Sequence, residues 1–307
     1  VSNRVFYLAN LVAAEFKKIA PNAYVNLYAY NTHAAPPNFK LQDNVLVQLI
    51  PYKYQKYAEP KVMIEAWKGK ADNLFIYDYY GLPLTNVDMP LRTWQTPDAL
   101  ANKMKYWYTQ NIMGVTLESS YSIGATGFGL YMFARLACNK NTDINKLKEE
   151  YYANCYGAAA KAVQLAQHAL TEDTVSNELA LANATLVLNK QLNKVKLSAN
   201  EQVCVTDYKA YLHYLNLLYA YKHANGKSTP TACDSLMQFV YGTFFRMMVH
   251  NYPLSEYLKN TGKSKGYITA NWDSMKPTAP GMKFNTIYQW SDQEINDAFK
   301  EDVKALH

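Results

Sequence analysis

Four short apolar runs, separated by helical stretches or long crossovers, constrain this chain more than any other feature. They are residues 23–30 (AYVNLYAY), 45–50 (VLVQLI), 74–79 (LFIYDY) and 114–118 (GVTLE). Antiparallel neighbours would be joined by tight turns and would alternate in polarity, whereas buried parallel strands read as near-continuous apolar runs. The spacing therefore predicts a parallel sheet and an α/β class. Helical periodicity precedes the first run (Val5, Leu8, Val12, Phe16) and fills the crossovers at residues 57–68 and after Thr96-Pro97. Four such strands are either half of a (βα)8 barrel or a small open sheet, and the pattern leaves both open.

Beyond Gly127 and Gly129 the strand signals stop. Residues 130–138, 144–156, 158–171, 176–196, 199–223 and 233–249 carry helical spacing, residues 259–283 read as surface loop, and Ser291 with Glu294 forms a capping-box start for a last helix. The expected organisation is thus α/β over residues 1–138 and mainly α-helical over 139–307. A helix starting at the first residues suggests a cut or processed piece.

Charge and cysteine usage narrow the function classes. The 31 Lys and Arg are interspersed with 25 Asp and Glu, for a formal charge of +6, with no basic stripe or nucleic-acid motif, so a nucleic-acid partner is not expected. No run approaches the length of a membrane span, and no signal peptide is recognisable. Cys138, Cys155, Cys204 and Cys233 lack metal-finger spacing, which argues against structural zinc and leaves one or two ordinary disulfides open. Neither a metal nor a cofactor is called for. The glycines after the fourth run (Gly124, Gly127, Gly129) fit neither phosphate-loop register and read as a loop that lets a ligand approach the backbone. His168, His213, His223 and His250 read as structural, and the acceptor pattern at Asn183 falls inside a helix.

Ligands of parallel sheets bind at the carboxyl ends of strands. Those ends carry Tyr28, Tyr30 and His33; Tyr52 and Tyr54; Tyr77, Asp78, Tyr79 and Tyr80; and Glu118 followed by Tyr121. Tyrosine is over-used throughout, 27 against 11 Phe and 5 Trp, and pairs a flat apolar face with a polar tip. Most of these rings fill helix interfaces. Carboxylates among aromatics at one rim suit sugar chemistry, where acids protonate or activate oxygens and rings hold the pyranose. Asp78 and Glu118 are the candidate catalytic acids, and either alone could instead cap a helix or pair with a rim Arg or Lys. In the enzyme reading both open on the same side of the sheet, outside buried ion pairs, and contact sugar hydroxyls or assist the acid. His33 is a candidate acid or ligand-binding group, with a spectator role as its ordinary alternative.

The segments SNRVFYLANLVAAEF, AYNTHAAPPNFKLQDNVLVQLIPY, LFIYDYYG, NIMGVTLESS and GLYMFARLACNKNTDINKLKEEYYANCYGAAAKAV, in that order, resemble the DUF4838-type domain of bacterial secreted glycan-degrading proteins grouped with glycoside hydrolase family 163. The resemblance covers about residues 1–170 and marks a divergent member, with Ala137-Cys138-Asn139-Lys140 where the family has a Trp-Asp-Pro turn. It implies the C-terminal half of a (βα)8 TIM-type barrel followed by a helical domain, with an upstream barrel half as partner. It also implies endo-β-N-acetylglucosaminidase-like activity on N-acetylglucosamine-containing glycans and a secreted, periplasmic or cell-surface location. Two other readings stand beside it. One is a non-catalytic glycan-binding protein that needs only the aromatic rim, and the other is a scaffold working through its helices.

Overall fold

The computed structural model describes residues 1–51, 60–80, 96–119, 122–172, 178–226, 228–250, 254, 258 and 289–306 of the chain. The described residues fall into two compact units. The first comprises Val1–Tyr80, Leu100–Glu118 and Phe133–Asn141, and the second holds the remainder.

In the first unit α1 (Ser2–Ile19) leads into β1 (Val25–Ala29), followed by β2 (Val45–Leu49), α2 (Pro60–Trp67), β3 (Asn73–Tyr79), α3 (Pro97–Thr109) and β4 (Gly114–Glu118). All three strand pairings are parallel, in the order β1-β2-β3-β4. The four apolar runs thus become the four strands, as their spacing predicts. The α/β arrangement followed by helices holds, and among the described residues the sheet has four strands with β1 and β4 at its edges.

Side chains alternate across a strand, so each strand divides its residues between two faces. On β2, Val45, Val47 and Leu49 are fully buried, and on β3 Leu74, Ile76 and Asp78 are buried while Phe75, Tyr77 and Tyr79 are half-exposed. The buried set faces the helices. Small residues of α1, Ala9 and Ala13, bring its backbone close to β1 and β2, and Asn44 donates to the Ala13 carbonyl at 2.9 Å. Phe6 of α1 meets Trp67 of α2 edge-on at 4.9 Å. Trp67 is itself wholly buried and satisfies its indole N–H on the Ala34 carbonyl at 2.9 Å, which a buried indole needs.

The helices that follow are α4 (Ile123–Cys138), α5 (Ile144–Tyr156), α6 (Ala160–Glu172), α7 (Glu178–Leu192), α8 (Ala199–His223), α9 (Ser228–Gly242) and α10 (Asp292–Lys304). Their starts are chemically marked. Asp143 accepts from the amides of Asn145 and Lys146 to cap α5, and Ser198 with Glu201 and Ser291 with Glu294 form reciprocal capping boxes for α8 and α10. His213 bonds Asp302 of α10 at 2.8 Å and stacks edge-on against Phe239 of α9, a packing role. Asn183 and a buried Thr185 lie within α7. No helix among the described residues is long and apolar enough to cross a membrane.

One expectation is corrected. Gly124, Gly127 and Gly129 are not a loop but lie within α4, which starts at Ile123 rather than near residue 130. Their smallness serves packing: a Cβ on Gly124 would collide with the Met248 sulfur, and one on Gly127 with the Tyr151 hydroxyl. Helix propensity disfavours glycine, but close approach of neighbouring groups overrides it here. The loop expected over residues 259–283 lies outside the described residues.

Candidate functional site

Register decides which strand-end residues share a surface. Tyr28 pairs with Gln48, Gln48 with Phe75, and Phe75 with Gly114; one step on, Tyr77 pairs with Thr116, and one further, Tyr79 pairs with Glu118. In a parallel sheet these cross-strand partners point the same way, so all of them occupy the face opposite the helices of the first unit. The contacts agree. Tyr28 and Tyr77 meet edge-on at 5.6 Å, Tyr77 and Tyr79 at 5.5 Å, and the Thr116 hydroxyl donates to Gln48 Oε1 at 3.2 Å. Phe75 lies across the strand at Gly114, where any Cβ would enter its ring. It forms an apolar floor between Gln48 and the β4 backbone.

The acid of this face is Glu118, the last residue of β4 and half-buried. The Tyr77 hydroxyl donates to Glu118 Oε2. That hydrogen bond to the carboxylate, reinforced by burial and by its negative charge, holds the Tyr77 phenol protonated well above the ordinary tyrosine range. Tyr77 is therefore a fixed donor at every pH near neutral, and it orients one carboxylate oxygen. Tyr28, 47% exposed, presents an open ring at one side of the same surface.

Of the residues expected to form the site, Tyr28, Tyr79 and Glu118 are brought together. Asp78 is not. It shares the helix-side face with Leu74 and Ile76, is 6% exposed, and is bound by Lys103 of α3 at 2.7 Å. Two carboxylates on one side of the sheet is thus an expectation the structure corrects, because adjacent residues of one strand point oppositely and Tyr79, not Asp78, is in register with Glu118. Tyr80 is 1% exposed, and its amide donates to the Glu118 carbonyl at 2.9 Å, so it extends the ladder and fills the core. His33 sits in a 3-10 turn, Asn31–His33, with its ring 6.3 Å from Phe6 on the helix side. Tyr30 is half-buried just after β1. Tyr52 and Tyr121 lie outside the described residues.

Residues that the strand-end reading missed are Phe75, Gln48 and Thr116, and Tyr77, though at a strand end, is given no site role by it. Their signal is parity: counting back in twos from Tyr79 reaches Tyr77 and Phe75, but linking them to Gln48 and Thr116 needs the register. Among the described residues no group of three or more His, Cys, Asp or Glu is placed to hold a metal ion.

The sequence model of a domain family described as a domain of unknown function, DUF4838, matches residues 1–166. The chain belongs to the DUF4838 family. That match takes in the whole sheet and every residue of the polar-aromatic face, and it runs on into α6. No curated protein and no solved structure matches the chain.

Proposed function

We propose that the face formed by Tyr28, Tyr77, Tyr79, Gln48, Thr116 and Glu118 binds a carbohydrate, and that the chain is the sugar-binding half of a (βα)8-type glycoside hydrolase acting on N-acetylglucosamine-containing glycans. The observation that carries this reading is the oriented carboxylate of Glu118 at a strand's carboxyl end, held by Tyr77 amid three tyrosine rings on one surface. Pyranose C–H faces stack on such rings, and hydroxyls find donors and acceptors in Tyr, Gln, Thr and Glu side chains. The resemblance to family 163 supplies the substrate class and the secreted setting. A two-carboxylate mechanism needs a second acid within about 5–10 Å. Asp78 is turned away from this surface, so in this reading the partner acid comes from the upstream half.

The orientation of Asp78 favours a second reading, a glycan-binding protein without hydrolysis. Titrating the chain with a β-linked N-acetylglucosamine oligosaccharide tests what both share. Binding is expected, weakened about tenfold by Tyr28→Ala, the upper end of what one aromatic contact contributes. An absence of heat at millimolar ligand overturns both. Hydrolysis of the same oligosaccharide by the complete protein separates them.

The half-barrel component makes its own prediction. Among the described residues β1 and β4 are the sheet edges, β1 carries neither Lys nor Pro, and α1 exposes Leu8, Leu11, Val12 and Ile19. Unprotected edges and contiguous apolar faces associate. Size-exclusion chromatography of the 307-residue chain at micromolar concentration should show dimers or larger species, reduced by Leu8→Glu with Leu11→Glu. A monodisperse monomer would remove the argument for a missing half.

A further inference from the structure

The row Tyr28, Gln48, Phe75, Gly114 crosses all four strands on the polar-aromatic face, with neighbouring strands about 4.8 Å apart. Gln48 is the polar member of that row with least access to water, at 9% exposed. Its Oε1 accepts from the Thr116 hydroxyl at 3.2 Å, whereas its Nε2 has no acceptor among the described residues. A carboxamide N–H withdrawn from water without an acceptor is costly, and native structures rarely leave one idle. Nor is this nitrogen sealed away, as the unpartnered Asn44 Oδ1 is. Gln48 therefore offers a donor whose direction is set by Thr116 holding the other end of the amide.

The surroundings of that donor restrict what it can meet. On the next strand Phe75 is half-exposed, and its ring occupies the space over Gly114, where a Cβ would enter it. The glycine is thus what lets an apolar shelf lie beside the amide. The four strands contain no Lys or Arg, and Glu118 shares this face, so a sugar carrying its own carboxylate would meet like charge and no counter-charge. A plain hydroxyl satisfies the donor but leaves the Phe75 ring bare. An acetamido group answers both, because its carbonyl oxygen accepts and its methyl covers the ring.

We propose that Gln48 sets the specificity of this face for 2-acetamido sugars, its Nε2 donating to the acetamido carbonyl while the methyl rests on Phe75. The assignment rests on the sugar-binding reading above and names the group that the face selects. Glu118 lies two residues beyond Thr116, about 7 Å along β4. A sugar anchored at Gln48 thereby extends towards the carboxyl end of the strands, where Tyr77 bonds Glu118 and Tyr79 is in register with it.

The test is calorimetric titration of the native full chain with a β-1,4-linked N-acetylglucosamine trisaccharide and with the matched glucose trisaccharide, which differ only at the 2-position. The unaltered chain should prefer the acetamido sugar by about tenfold or more, the discrimination that one well-made hydrogen bond provides. Gln48→Leu removes the donor and should bring the two affinities within about threefold of each other. Gln48→Glu keeps an oxygen for Thr116, loses Nε2, and should erase the same preference even where the leucine variant does not fold. Saturation-transfer NMR on the unaltered chain needs no variant: the acetamido methyl protons should receive more saturation than the sugar-ring protons. Equal affinity of the unaltered chain for the two sugars, a preference undiminished in the Gln48 variants, or methyl protons saturated less than ring protons would overturn the assignment while leaving sugar binding intact. Binding of neither sugar would overturn the sugar-binding reading and the assignment together.

Discussion

Raising the pH from 10 towards 12 is expected to unfold the helical unit cooperatively. A connected run of rings, Tyr131, Tyr151, Tyr152, Tyr156, Tyr208, Tyr211 and Tyr214, crosses that unit with centroids 5.4–6.3 Å apart. Burial disfavours the phenolate, so Tyr152 is pushed up to about 12, and Tyr151, Tyr156 and Tyr208 are raised from the same leading cause. In the unfolded chain each ionises near 10. Between the two values the folded state keeps a proton that the unfolded state has lost. The stability is therefore fully present below pH 10 and is lost as pH climbs through the folded value. Tyr152 alone accounts for about 3 kcal/mol over that window, and the other three add to it, against a total stability of about 5–15 kcal/mol. Phenolate absorbance and far-ultraviolet dichroism followed together should show exposed tyrosines titrating first and the buried ones ionising in step with helix loss. Ionisation of all 27 tyrosines near pH 10 with helix content intact would contradict the burial argument.

Much of the scaffold was legible in the sequence because its signals are local. The four strands announce themselves by aromatic and branched apolar runs, and α10 by the Ser291 and Glu294 pair that cap it. What was not legible depends on which way side chains point relative to distant neighbours. The run from Leu74 to Tyr79 reads as apolar but for Asp78 because tyrosine and phenylalanine count as such, yet only its even-numbered members enter the helix-side core. An acid in that run looks like rim chemistry. It is instead the end of a core face, neutralised by a lysine that comes from a helix 25 residues on. The glycines of α4 mislead for a related reason: local propensity predicts a break, while Tyr151 and Met248, far along the chain, require small residues in a continuous helix.

On the proposed glycosidase reading, Glu118→Gln, made in the complete protein, should lower glycan turnover by tenfold or more. The amide keeps the shape of the carboxylate and can still accept from Tyr77, but it loses the charge, and hydrogen bonds to a charged group contribute about 1.5–3 kcal/mol. Because Glu118 is the leading cause of the raised Tyr77 phenol, the same substitution should bring that phenol back towards 10, a shift visible in the phenolate titration. Melting temperature should barely change, since Glu118 is half-buried at the end of an edge strand. Asp78→Asn provides the contrast. Weakening its bond to Lys103 leaves that ammonium without its counter-charge beside the core, which should cost about 2 kcal/mol of stability while turnover per folded molecule is unaffected. Unaltered kinetics in Glu118→Gln together with a large loss of melting temperature would make Glu118 a structural carboxylate, and the polar-aromatic face would then have no acid to offer a sugar.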